Sequence, residues 1–120
     1  MTAGGSLPYV APRIFGMNET LQIDIPTAEI DEFCRRNHIR RLAFFGSVLR
    51  SDFTRDSDVD VLVEFEPSHV PGLIGLAGLE LELSAILGDR TVDLNTPGFF
   101  RPSLRKQILS KAVVQYDENR

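Results

Sequence analysis

Hydrophobic residues recur at two different periods along this chain, and each change of period marks an element. Leu42 to Phe45 is an apolar run that halts at Gly46-Ser47. Ten residues later, Asp58-Val59-Asp60-Val61-Leu62-Val63-Glu64-Phe65 sets acidic against apolar positions. These runs predict two strands joined by a short excursion, with Ser47 to about Ser51 forming a short helix between them. Upstream, a helix is expected from Thr27 to about Asn37, with Thr27 as its N-cap, Glu29 and Asp31 in its first turn, and Ile30, Phe33 and Cys34 on one face. Pro67, Pro71 and Gly72 mark a loop. Beyond it, Leu73 to Leu87 reads as a helix with a stripe of Leu73, Leu76, Leu79, Leu83, Ile86 and Leu87, stopped by Gly88. Ile74 and Leu81 fall on its opposite side, either as ordinary exposed surface or as part of a partner interface. A third strand is expected over Arg90 to Asn95, broken by Thr96-Pro97-Gly98. A last helix, about Ser103 to Ala112, puts Leu104, Ile108, Leu109 and Ala112 on one side, before a short apolar end at Val113 and Val114.

The expected architecture is α/β, a small mixed sheet with helices packed mainly on one face. Residues 1–20 mix Gly4, Gly5, Pro8, Pro12 and Gly16 with scattered apolar residues and show no period, so they read as a flexible leader ahead of a single domain over 21–120. Met17 is a candidate start. Tyr9, Val10, Ile14 and Phe15 offer the alternative of docking on the domain.

Composition narrows the function. Seventeen acidic against thirteen basic residues give a net charge of −4, which argues against a nucleic-acid partner held by a basic face. At 120 residues there is little room for a separate template-binding domain. The single cysteine, Cys34, excludes an internal disulfide, reads as a small core residue, and fits a reducing cytoplasm. No apolar stretch reaches the ~18 residues of a membrane span. Arg35, Arg36, His38, Arg40 and Arg41 cluster where the first helix ends, which favours cations at a helix C-terminus over a contact for an acidic partner. His38 and His69 lie on polar segments without neighbouring ligands, and neither is expected to bind metal.

The chemistry gathers on the two strands. Side chains two apart share a face, so Asp58 and Asp60 project together at ~6.6 Å while Val59, Val61, Val63 and Phe65 point to the core. Paired carboxylates repel one another and are poor strand formers, and a divalent cation offsets both costs. Mg²⁺ is commonly held by one or two carboxylates with substrate phosphate oxygens and water. Gly46 lets backbone approach a ligand, and the turn opening at Ser47 offers N–H groups and a hydroxyl to phosphate. Arg50, one turn on, either reaches a triphosphate or pairs with Asp52 or Asp56. A phosphate cradle beside a metal edge describes a nucleoside-triphosphate site.

The residues Phe45-Gly46-Ser47-Val48-Leu49-Arg50, a spacer, and Ser57-Asp58-Val59-Asp60 resemble the signature of the minimal nucleotidyltransferases of the polymerase-β-like superfamily. Thr91-Val92-Asp93-Leu94-Asn95 matches the later strand that carries that family's third carboxylate, and Ser51 stands where many relatives have glycine. The resemblance spans roughly 28–116 and implies the polymerase-β-like fold. It implies that Asp58, Asp60 and Asp93 hold Mg²⁺ and are catalytic, that Gly46 and Ser47 bind the phosphates of ATP, and that AMP is transferred to a hydroxyl with release of pyrophosphate. Relatives of this type resemble antitoxins paired with HEPN-domain RNase toxins, in which a toxin tyrosine is adenylylated. The same partner is expected here, docking on Ile74, Leu81 and the basic cluster. The competing expectation, from another class, is an inactive binding module that neutralises a toxin by stoichiometric complex formation.

Overall fold

In the computed structural model the described residues are 21–119, and the expectations for residues 1–20 lie outside them. Strand β1, Ile39–Phe45, pairs antiparallel with β2, Val59–Phe65, placing Leu42 opposite Val63 and Phe44 opposite Val61. All four side chains are fully buried. At about 1.5–3 kcal/mol for each such side chain, these cross-strand pairs hold the centre of the fold. The alternate positions of β2, Asp60, Leu62 and Glu64, take the other face.

Two helices cover the Val61 face. Helix α1, Thr27–Arg36, contributes Ile30, Phe33 and Cys34 to the core, and α2, Leu73–Ile86, contributes Leu83, with Leu87 just beyond its end. Helix α2 stops where expected: Gly88 has φ +80°, and the N–H of Asp89 turns back to the Ser84 carbonyl at 2.8 Å. Leu21, Ile23 and Ile25 pack on the same core ahead of α1.

Strand β3, Val92–Asn95, joins β2 in parallel, and β4, Val113–Asp117, joins β1 antiparallel, giving a four-stranded mixed sheet of order β3-β2-β1-β4. The sheet is mixed because the β2-to-β3 connection passes through α2, a crossover that returns the chain in the same direction.

Four local expectations are corrected. Thr27 is a helix residue and not the N-cap, since its hydroxyl donates back to the Ile25 carbonyl at 3.5 Å and Pro26 takes the cap position. Leu73 is 81% exposed, off the core stripe, in a first turn of α2 whose neighbours Ile74 and Gly75 are exposed as well. Helix α3, Pro102–Lys111, buries none of its side chains. It is tied down by polar contacts, with Arg105 donating to the carbonyls of Pro97 at 2.9 Å and Phe100 at 3.0 Å. The apolar end after it is strand β4, where Tyr116 is buried: the free edge of β1 captures these residues by backbone pairing, a long-range partner that no local period reports.

Candidate active site

Gly46 to Leu49 leave β1 as one turn of 3-10 helix, shorter than the helix expected there. Gly46 has φ +75°, a backbone state that L-residues with a side chain adopt only with strain. A Cβ on this glycine would overlap the Asp60 carboxylate and stand 3.2 Å from Asp60 Cγ. The close approach follows from the pairing of Phe45 with Asp60 across β1 and β2, which sets the turn beside the aspartate. The Ser47 hydroxyl donates to the Asp58 carbonyl at 3.2 Å, binding the turn to the start of β2. The hydroxyl therefore braces the turn against β2, while the Ser47 backbone N–H is turned to the Asp60 carboxylate.

Asp93 stands directly across from Asp60, in register on the neighbouring parallel strand. The edge strand is positioned from α2: Glu80 Oε2 accepts the Leu94 N–H at 2.8 Å, and the Ser84 hydroxyl donates to the Arg90 carbonyl at 2.6 Å. Asp58, just before β2, is exposed, as is Asp93, whereas Asp60 is half-buried between them. Partial burial raises the Asp60 pKa above the ordinary aspartate value, and the carboxylates of Asp93 and Asp58 push it further. The Ser47 N–H and the Arg50 guanidinium act in the opposite direction. Asp60 thus feels both neighbouring carboxylates, a repulsion that a cation at this edge would relieve. An all-carboxylate donor set at an open edge fits a hard divalent ion, which also leaves room for phosphate oxygens and water.

Arg50 lies beside this edge with its Nε 3.2 Å from Asp52 Oδ1, an exposed pair and the first of the two alternative carboxylate partners expected for it. A groove of about 550 Å³ opens next to the turn, lined by Gly46, Leu49, Arg50, Ser110, Lys111, Ala112 and Val113. Lys111 was not anticipated as a site residue. From sequence it is an ordinary cation at a helix C-terminus, and only the pairing of β4 with β1 brings it to the groove.

The basic cluster is largely neutralised within the chain. Arg41 pairs with Glu64 and Asp117, both at 3.3 Å, Arg40 with Glu118 at 3.4 Å, and Arg36 with Glu82. His38 and His69, expected to lack neighbouring ligands, stack on one another beside Glu66. This overturns the expectation, because the β1–β2 pairing joins segments that are thirty residues apart in sequence.

A carboxylate-lined sheet edge beside a glycine turn and a groove is an arrangement that suits nucleotidyl transfer. The chain matches the nucleotidyltransferase domain family over residues 28–114, and it belongs to that family. It is 38% identical to the protein adenylyltransferase MntA of Thermococcus cleftensis over 89 residues, which cover 74% of this chain and 87% of the relative. A solved structure provisionally described as a minimal nucleotidyltransferase superposes with a TM-score of 0.61 at 37% identity, covering 72% of this chain and 86% of that one. The crystal structure of a toxin-antitoxin with AMP-PNP shares the fold, with a TM-score of 0.63 at 22% identity over 78% of this chain and 74% of that one. The chain is a nucleotidyltransferase of mixed α/β fold, and nucleotidyltransferases work with divalent metal. Among the described residues, no helix is long and apolar enough to cross a membrane.

Proposed function

We propose that this chain, a single domain over residues 21–120, is a Mg²⁺-dependent protein adenylyltransferase that moves AMP from ATP to a hydroxyl of a partner protein, a tyrosine of a HEPN-domain toxin, and acts as the antitoxin. The observation that carries the reading is the Asp60–Asp93 register, with the Gly46 turn packed on Asp60. Asp58, Asp60 and Asp93 would hold the ion, which when bound supplies charge neutralisation on the attacking and leaving oxygens. Gly46 and Ser47 cradle phosphate oxygens, the Ser47 N–H exchanging the Asp60 carboxylate for phosphate once the ion holds that carboxylate. Arg50 and Lys111 line the groove in which the nucleotide lies. Asp93, exposed at the edge strand, takes the proton of the acceptor hydroxyl. The acceptor oxygen then bonds to the α-phosphorus, the bond to the bridging oxygen of the β-phosphate breaks, and pyrophosphate leaves.

Support for the acceptor comes from the relatives. The Thermococcus relative is named a protein adenylyltransferase, and fold neighbours at 20–22% identity were solved as toxin-antitoxin pairs, one with AMP-PNP and one as MntA-HepT. Docking falls to α2, where Ile74 is 92% and Leu81 75% exposed, rather than to the arginines already paired within the chain. A covalent AMP leaves bulk and negative charge on the toxin after the enzyme departs, so a catalytic amount suffices. Cytoplasmic residence fits an ATP-using protein whose single cysteine is buried.

The test is to mix the toxin with a small molar fraction of this protein, ATP and Mg²⁺, and record intact mass. A gain of one AMP unit or a multiple, lost in Asp58→Asn, supports transfer. Silencing only at equimolar ratio with no mass change would instead establish the binding module.

A further inference from the structure

A second group of metal-ligating side chains stands at the end of the β1–β2 pair opposite the aspartates. Ile39 pairs with Phe65 there, while Phe45 pairs with Asp60 at the other end. At ~3.3 Å per residue the two ends are roughly 20 Å apart. His38 immediately precedes β1, Glu66 immediately follows β2, and His69 closes a 3-10 turn begun at Pro67. Backbone bonds hold the three in place: the Glu66 N–H donates to the His38 carbonyl at 2.9 Å, and the His69 N–H to the Glu66 carbonyl at 2.8 Å. His38 occupies φ +58°, so the left-handed backbone that ends α1 also aims this imidazole at the loop.

The two rings stack with centroids 3.6 Å apart and planes 15° from parallel. Nδ1 of His38 lies 3.7 Å and Nδ1 of His69 3.6 Å from the same oxygen, Glu66 Oε1, and the His69 Nδ1 also meets the Ser68 hydroxyl at 3.0 Å, a bond the hydroxyl gives up when that nitrogen takes an ion. One ligand atom from each residue falls within 4.8 Å of the others. Bonds of ~2.0–2.1 Å at a tetrahedral angle put zinc ligands about 3.3–3.5 Å apart, so the two oxygen–nitrogen spacings are within a few tenths of an ångström of the requirement, and a turn of the half-exposed rings out of their stack brings both in-plane lone pairs to one ion. The set is two imidazoles and one carboxylate, a borderline donor set that selects Zn²⁺ or its transition-metal neighbours over Mg²⁺, the reverse of the all-oxygen catalytic edge. All three side chains are roughly half-exposed, which leaves a fourth position open to water. The neighbouring cations Arg36 and Arg40 are drawn off by Glu82 and Glu118, so neither is paired with Glu66.

We propose that His38, Glu66 and His69 form a site for a Zn²⁺-class divalent cation, separate from the catalytic metal. A cation there ties the loop leading into α2 to the junction of α1 and β1. It acts as a structural staple beneath the helix that carries Ile74 and Leu81.

The experiment uses the full chain without an affinity tag, titrated calorimetrically with ZnCl₂ in excess Mg²⁺, with thermal unfolding read in parallel. The chain has two histidines in all and both are in the cluster, while Cys34 is buried, so competing soft or borderline ligands are few. The expected result is one Zn²⁺ per chain and a raised unfolding temperature. Co²⁺ in its place should give the visible absorption of a four-coordinate ion. His38→Asn, chosen because asparagine tolerates the left-handed backbone, and His69→Gln should each weaken Zn²⁺ at least tenfold with secondary structure unchanged. Asp58→Asn should leave the Zn²⁺ titration as it was. Absence of Zn²⁺ binding by the folded chain would overturn the proposal. So would Zn²⁺ binding that survives both histidine variants, or that disappears in Asp58→Asn.

Discussion

Gly46 and Asp60 occupy one another's space: the glycine Cα lies so close to the aspartate that no Cβ fits between them, and the backbone there has φ +75°. Any side chain at 46 must displace the carboxylate or rotate the turn. Gly46→Ala should therefore cost roughly 1–2 kcal/mol of stability from the left-handed backbone. Transfer should fall far more than the folded fraction does, since Asp60 is moved off the metal edge. Denaturant unfolding alongside single-turnover transfer measures both quantities, and wild-type transfer in the alanine variant would contradict the packing argument.

The raised pKa of Asp60 has a definite sign. A carboxyl whose folded pKa exceeds its unfolded value holds its proton more tightly in the native state, so its contribution is complete below the unfolded pKa and is lost as pH rises through the folded one. Without metal, Asp60→Asn should match wild type in stability at acid pH and exceed it at neutral pH. Adding Mg²⁺ should reverse the order by stabilising wild type alone. Melting temperatures across pH, with and without Mg²⁺, check this, and a variant less stable than metal-free wild type at neutral pH would be the contrary result.

Arg50 makes an exposed pair with Asp52, the kind worth at most about 1 kcal/mol. If its role is toward the nucleotide, Arg50→Gln and Asp52→Asn should both leave stability within about 0.5 kcal/mol. Only Arg50→Gln should raise the KM for ATP, several-fold. Equal effects of the two variants on KM would reduce Arg50 to a partner of Asp52.

Helix α2 separates packing from docking. Leu83 is fully buried, and Leu83→Ala should cost about 2–5 kcal/mol. Ile74→Ser and Leu81→Ser remove exposed side chains and should change stability by less than about 0.5 kcal/mol. They should nonetheless raise the KM for the protein acceptor while leaving that for ATP alone. Acceptor and ATP titrations on the same preparations distinguish these effects, and unaltered acceptor kinetics would move the docking face elsewhere.

The candidate edge of Gly46, Asp58 and Asp60 was legible in the sequence because its parts are local. Gly46-Ser47 and Asp58-Val59-Asp60 lie within fifteen residues, and strand alternation alone puts Asp58 and Asp60 on one face. The core faces of α1 and β2 and the end of α2 at Gly88 follow from period and backbone chemistry in the same way. Only the tertiary structure decided which segments meet. Parallel pairing of β2 with β3 sets Asp93 across from Asp60, and capture of Val113–Asp117 by the open edge of β1 makes a strand of what reads as a tail and brings Lys111 to the groove. The same β1–β2 pairing assembles His38, Glu66 and His69 from residues that no local period connects. Backbone hydrogen bonds between distant strands carry no side-chain signature. A chain therefore announces the faces of its elements by their repeat, while the partner each face or edge finds depends on which pairing buries the most apolar surface at once.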